Sequence, residues 1–202
     1  MTHTTNDHLN EGSGGFDWAA LVDVIYRDFP VARAILLEHS RAVARLALKI
    51  NADKDIGLPE ADIVCAAMLH DIGIALTHAP AIGCTGSLPY ICHGTAGADL
   101  LRRHGAPEWC ARVAERHTGS GLTADDIAAQ NLPLPSDRDL MPQTDLEKLI
   151  CYADKFFSKN PGKLSDIKSV ERVKAEMERH GAESLDRFNR LHEHFGIDGL
   201  NR

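Results

Sequence analysis

The sequence predicts an all-α protein. Apolar residues recur at i, i+3, i+4 and i+7 in one stretch after another, the spacing of an amphipathic helix. No segment alternates apolar and polar residues strongly enough to suggest a strand, and no repeat or low-complexity block is visible. Aromatic residues make up only 5% of the chain while Ala and Leu are abundant, which favours helix over sheet. With 202 residues, 44% of them hydrophobic, the chain can build one core, so residues 16–202 read as a single domain. Residues 1–15 are polar and Gly-bearing and read as a disordered tail.

The elements follow in order. A first helix is expected over 16–28, with Trp18, Leu21, Val22 and Ile25 on one face. Pro30 punctuates the chain, and a long helix then runs to about residue 51 with the stripe Ile35, Leu36, His39, Val43, Leu46, Ile50. Gly57 and Pro59 separate it from a helix over 60–72, which carries Ile63, Ala66, Ala67 and His70 and is stopped by Gly73. Residues 73–92 show neither period and read as a long loop of the kind that is often functional. Helices are expected at 94–104 and 107–117, the second with Pro107 in its first turn. After the break at 118–121, Thr123 can cap a short helix over 125–130. Residues 131–143, with Pro133, Pro135 and Pro142, form a second irregular loop. A helix over 145–157 carries Leu149, Ile150, Ala153, Asp154 and Phe157, and one or two polar helices fill 169–195.

Charge and cysteine usage narrow the function. A net charge of −7 argues against a general nucleic-acid surface, but leaves room for an anionic small molecule if a bound metal supplies local positive charge. Five Cys at irregular spacing, with Cys65, Cys110 and Cys151 inside helical patterns, predict reduced core thiols and a cytoplasmic protein. No stretch approaches the ~20 apolar residues that cross a bilayer, so no membrane partner is expected. A homodimer is compatible with everything in the sequence.

His39, His70, His117 and Asp154 each sit where the helical stripe calls for an apolar residue. A lone histidine there is more often a core residue bonded to backbone. A buried aspartate is harder to explain, since a carboxylate almost never enters a core unpaired. Helices that each offer one or two N or O ligands inward are how bundles build metal centres. His104, His180, His192 and His194 lie among charges near helix ends and read as surface.

The segment His70-Asp71-Ile72-Gly73, with the order His39, His70-Asp71, His93, His117, Asp154, resembles the HD-domain superfamily of metal-dependent phosphohydrolases, over residues 31–159. Having both His93 and His117 is similar to the dinuclear subset, which includes symmetrical dinucleoside tetraphosphate hydrolases. The resemblance implies a helical bundle around a buried dinuclear site. His39, His70, Asp71 and Asp154 would hold one divalent ion, and Asp71 would bridge to a second on His93 and His117. Four imidazoles and two carboxylates suit Fe, Mn, Ni or Zn better than Mg or Ca. The activity implied is hydrolysis of a phosphoester or phosphoanhydride in a nucleotide or small phosphorylated metabolite. Mixed-valence di-iron oxygenases of the superfamily use the same six ligands and form the alternative.

The chain departs from the pattern at Ile74 and Ala75, where many relatives carry a phosphate-binding Lys. Lys155 and Lys159 are the candidates to replace that charge, and Thr118 and Ser120 could present an anion-binding turn. His78, in the long loop, is expected to face the site as an acid or phosphate contact, with 73–92 closing over the substrate. Asp71, His78 and Lys155 are thus the catalytic candidates.

Overall fold

A computed structural model describes residues 15–160, 162–164, 166–197 and 199. The expected tail lies outside them apart from Gly15. The described residues form an all-α bundle. Helix α1 (Trp18–Ile25) begins where the Asp17 carboxylate accepts the Ala20 N–H at 2.9 Å. Pro30 is the first residue of α2 (Pro30–Asp53), where its missing N–H costs nothing. Helix α3 (Glu60–Leu69) is buried from Ile63 to Leu69 without a polar face, which makes it the central rod of the bundle. Helices α4 (His93–Arg103) and α5 (Glu108–Arg116) form an adjoining pair, and the short α6 (Ala124–Ala129) opens on a reciprocal Thr123–Asp126 capping box. Helix α7 (Asp145–Asp154) packs on α2, α5 and α9, while α8 (Val170–Glu178) and α9 (Ala182–Phe195) complete the C-terminal side.

Three local expectations are corrected. The α3 helix ends at Leu69 rather than at residue 72, and a 3₁₀ helix over Ile72–Leu76 replaces its last turn. The buried Tyr26 hydroxyl pins that segment, donating to Ile72 O at 3.2 Å and accepting the Ala75 N–H at 3.1 Å. The segment 73–92 is also less irregular than its sequence suggests. Two-residue strands β1 (His78–Ala79) and β2 (Cys84–Thr85) pair antiparallel around Gly83, which adopts φ +83°. Finally, His192 is no surface residue: it is half-buried, its Nδ1 lies 2.8 Å from the Tyr152 hydroxyl, and its ring stacks on Phe188. The five cysteines are free and buried, and no helix among the described residues is long and apolar enough to cross a membrane.

Two apolar clusters share the interior. One joins Trp18, Val22, Tyr26, Met68, Leu69, Leu101 and Ala111 from α1, α3, α4 and α5. The other joins Val43, Ile50, Ile150, Tyr152 and Phe188 from α2, α7 and α9. Between α4 and the 3₁₀ helix the two backbones nearly touch. A Cβ on Gly73 would overlap His93 O and the Gly97 backbone, so glycine is required there by space rather than by φ. Gly73→Ala should therefore destabilise the protein by about 3 kcal/mol, the upper range for overpacking, because backbone cannot yield as a side chain can. Gly105→Ala, where a Cβ meets nothing within 4 Å, carries only the strain of φ +72° and should cost about 1 kcal/mol. Urea unfolding of both variants measures the difference.

Candidate metal centre

Six side chains converge, five of them from helix ends. His70 caps α3, Asp71 follows it, His93 opens α4, His117 caps α5 and Asp154 closes α7. His39 alone comes from mid-helix, on the buried face of α2. All six are buried, none more than 6% exposed.

Their orientations are set by backbone. Nδ1 of His70 lies 2.6 Å from Ala67 O, Nδ1 of His117 2.8 Å from Ala114 O, and Nδ1 of His93 2.8 Å from Tyr90 O. A carbonyl can only accept, so each Nδ1 carries the proton and each Nε2 is turned inward, as a lone pair on the neutral rings of His93 and His117. These carbonyls lie three residues before each ring, in a last helical turn for His70 and His117, where orphan acceptors are plentiful.

The inward atoms fall into two groups that share Asp71. Asp71 Oδ2 lies 3.4 Å from His39 Nε2 and 3.1 Å from His70 Nε2, and Asp154 Oδ1 lies 3.0 and 3.4 Å from the same two nitrogens. Asp71 Oδ1 lies 3.4 Å from His93 Nε2 and 3.3 Å from His117 Nε2. The two groups, His39/His70/Asp71/Asp154 and Asp71/His93/His117, each keep their ligand atoms within 4.8 Å of one another. Separations of 3.0–3.4 Å are the edges expected of ligands about 2.1 Å from a common ion.

The donor set fits a metal on two further counts. His70 Nε2 and Asp71 Oδ1 are buried without a hydrogen-bond partner, which is costly unless a cation satisfies them. His93 Nε2 and His117 Nε2 face each other at 3.0 Å, and with both protons on Nδ1 these are two lone pairs in repulsion. Burial, then the neighbouring His117, holds His93 near 3, and burial pushes His117 down as well, so a shared proton does not relieve the contact. Burial alone would raise Asp71, but the His70 charge and the Lys159 ammonium hold it well below the usual carboxylate range. His70 shows the reverse balance. Burial works against its charge, yet Asp71 and Asp154 lift it to about 9.

The two lysines divide their roles. Lys155 Nζ donates to Asp154 Oδ2 at 2.7 Å and to His117 O at 3.0 Å, so it braces two ligands from behind. Lys159 Nζ reaches into the centre, 2.8 Å from Asp71 Oδ2 and 3.5 Å from Asp154 Oδ1. Beside it, a cavity of about 10 Å³ touches His39, Asp71 and Lys159 and is walled by Tyr26, Ile35, Ile74 and Ile82.

The other candidates stand apart. His78 is exposed on β1, and no hydrogen bond or ion pair among the described residues ties its side chain to the centre. Ser120 is buried, but its hydroxyl donates to Ser184 O at 2.8 Å, towards α9. Thr118 is half-buried, and its carbonyl accepts the Gly121 N–H at 3.0 Å. Segment 73–92 borders the centre through Ile74, Ile82 and Tyr90. Sequence reasoning missed Tyr90, whose ring lies 4.9 Å from that of His93. An aromatic three residues before a ligand was the available signal.

Comparison with known proteins agrees with this geometry. The HD-domain family pattern matches residues 36–158, and the chain belongs to that family of helical proteins. The chain is 35% identical over 123 residues to an uncharacterised protein of Methanocaldococcus jannaschii, covering 59% of this chain and 64% of that protein. It is 30% identical over 128 residues to a tRNA (cytidine(56)-2'-O)-methyltransferase of Picrophilus torridus, covering 61% of this chain and 32% of the methyltransferase. A methyltransferase of the same name from Thermoplasma volcanium is 30% identical over 144 residues, 70% of this chain and 37% of that protein. The chain thus spans about a third of each methyltransferase and less than two thirds of the uncharacterised protein. No solved structure matches it significantly.

The Lys155 brace can be tested directly. Lys155→Met would leave the buried Asp154 Oδ2 without its donor, and losing one partner of a buried pair typically costs about 3 kcal/mol. Urea unfolding should show a loss of that size.

Proposed function

We propose that this protein is a metal-dependent phosphohydrolase that uses two divalent transition-metal ions, Fe, Mn, Ni or Zn, on a small phosphorylated molecule. The observation that carries the reading is the split of the Asp71 carboxylate, one oxygen towards His39 and His70 and the other towards His93 and His117. On this reading His39, His70, Asp71 and Asp154 hold one ion, and Asp71, His93 and His117 hold the other. Such a pair lowers the pKa of a bound water and neutralises charge on a phosphoryl group.

The chain's own residues supply the rest. Nδ1–H bonds to backbone fix three imidazoles before anything binds, so no reorganisation is needed when charge develops. The cavity beside His39, Asp71 and Lys159, at about 10 Å³, has room for about one water molecule. Lys159, about a fifth exposed, is the one candidate cation with its ammonium already in the centre. It can release Asp71 and turn to a phosphoryl oxygen, replacing the lysine missing after the H-D-I-G box. Lys155, held by Asp154 and His117, is a positioning residue in this scheme. Methyl transfer is not part of the reading, because it has no need of four buried imidazoles and two carboxylates around one point.

Two measurements test it. Metal analysis should find two transition-metal ions per chain, none in Asp71→Ala, and one in His93→Ala. Equal loss in the two variants would overturn the assignment. A phosphate-release screen with Mn, Fe, Co and Ni should identify a turned-over phosphoester or anhydride. Oxygen consumption by the iron form without phosphate release would favour an oxygenase instead. With a substrate in hand, Lys159→Ala should keep its metal yet lose about 10-fold in kcat/KM, roughly 1.4 kcal/mol of transition-state binding.

A further inference from the structure

A second cavity, of about 340 Å³, opens between α7, α9 and the 118–121 turn. It is separate from the metal centre. None of the six ligands lines it, nor does Lys155 or Lys159. The nearer of its two α7 contributors, Lys148, precedes Asp154 by six residues, about 9 Å along a helix axis.

Three of its lining residues are permanent cations, Lys148, Arg187 and Arg190, against one carboxylate, Asp145. Lys148 approaches Asp145 only to 3.8 Å, and Arg190 is exposed with no carboxylate partner among the described residues. Arg187 is the built part of the site. It is 8% exposed, its Nη2 donates to Asp126 Oδ2 at 2.7 Å, its contact with Glu183 is a loose 3.9 Å through Nη1, and its buried Nε has no hydrogen-bond partner. The Nε is closed off, but Nη1, with only that loose contact, keeps protons for a further acceptor. Arg187, Arg190 and His194 lie on one face of α9 with Leu191 between them, and Met141 and Pro142 form the opposite apolar wall.

We propose that this cavity binds a phosphate monoester with an apolar or aromatic body, at a site distinct from the proposed catalytic one. A phosphate offers three acceptor oxygens and close to two charges, which suits two guanidiniums and an ammonium better than a carboxylate would. The apolar wall takes the remainder of the molecule, and 340 Å³ lies within the range of small-molecule sites. A ligand there would touch Ser120, three residues beyond the metal ligand His117, and the first turn of the helix that ends in Asp154. Binding could thus be felt at both halves of the metal centre.

Phenylphosphonate, whose C–P bond resists hydrolysis, is the probe. Calorimetric titration would compare the wild-type protein, the same protein treated with a chelator, and the double variant Lys148→Ala/Arg190→Ala. Both replaced side chains face solvent, and circular dichroism would verify the folded state of each sample. The expected result is binding that survives the chelator, weakens at least 10-fold in the double variant, and is absent with phenol. Absence of binding to the wild-type protein would overturn the proposal. So would binding abolished by the chelator in a folded sample, since that assigns the probe to the metal centre. An affinity unchanged in the double variant, or matched by phenol, would also overturn it. None of these outcomes bears on phosphate release at the metal centre, so the two proposals fail separately.

Discussion

The structure depends on burying the Asp71 carboxylate, which has the Lys159 ammonium beside one oxygen and no hydrogen-bond partner at the other. An unpaired carboxylate in an interior is too costly to persist, so everything around it must compensate. Four imidazoles, a second carboxylate and the Lys159 ammonium converge on it from separate helices, linking α2, α3, α4, α5 and α7 at one point. The apolar clusters on either side can each pack with some freedom. The centre cannot, because buried polar atoms 3.0–3.4 Å apart tolerate little displacement before the spacing that a metal would need is lost.

Helix ends make this geometry attainable. A mid-helix side chain points sideways, whereas one at a terminus can face along the axis into a junction. Terminal carbonyls then serve as acceptors for the imidazole Nδ1–H groups, so the same atoms that end α3 and α5 also orient His70 and His117. The close approach of Gly73 to Gly97 serves the same purpose. It lets the 3₁₀ helix that follows Asp71 lie directly against α4, whose first residue is His93. The glycine of the H-D-I-G box is in this light a packing residue for the metal centre, set by backbone contact.

Much of this was legible in the sequence, and the gaps have physical causes. Helix periodicity placed α2, α3, α5 and α7 and flagged His39, His70, His117 and Asp154, because a polar residue in an apolar stripe is a local signal. His93 stood out only as a residue of ligand type beside a helix start, and its place in the site came from resemblance, since nothing before it has a period. The early end of α3 was hidden because the Tyr26 hydroxyl that pins Ile72 and Ala75 lies 46 residues from the first of them. His192 misled for the same reason: its partner, Tyr152, belongs to another helix. The lysines were found by proximity in sequence, but adjacency could not say which ammonium enters the centre. One residue after Asp154, Lys155 reaches back around the ligand, while Lys159 lies far enough along the chain to turn inward.

Local charge, rather than the net value of −7, governs what such a protein can bind. At the centre, the carboxylates of Asp71 and Asp154 are matched by the ammoniums of Lys155 and Lys159. The protein groups are thus close to neutral before any metal is counted, and divalent ions there would leave a strongly positive site inside a negative molecule. An anionic substrate would be drawn by that focused field even though the outer surface is acidic, because low-dielectric walls screen little while exposed charges are damped within about 8 Å at physiological salt. The same reasoning applies to the cavity on α9, where Arg187 is matched by Asp126 and the excess positive charge comes from Lys148 and Arg190 against Asp145.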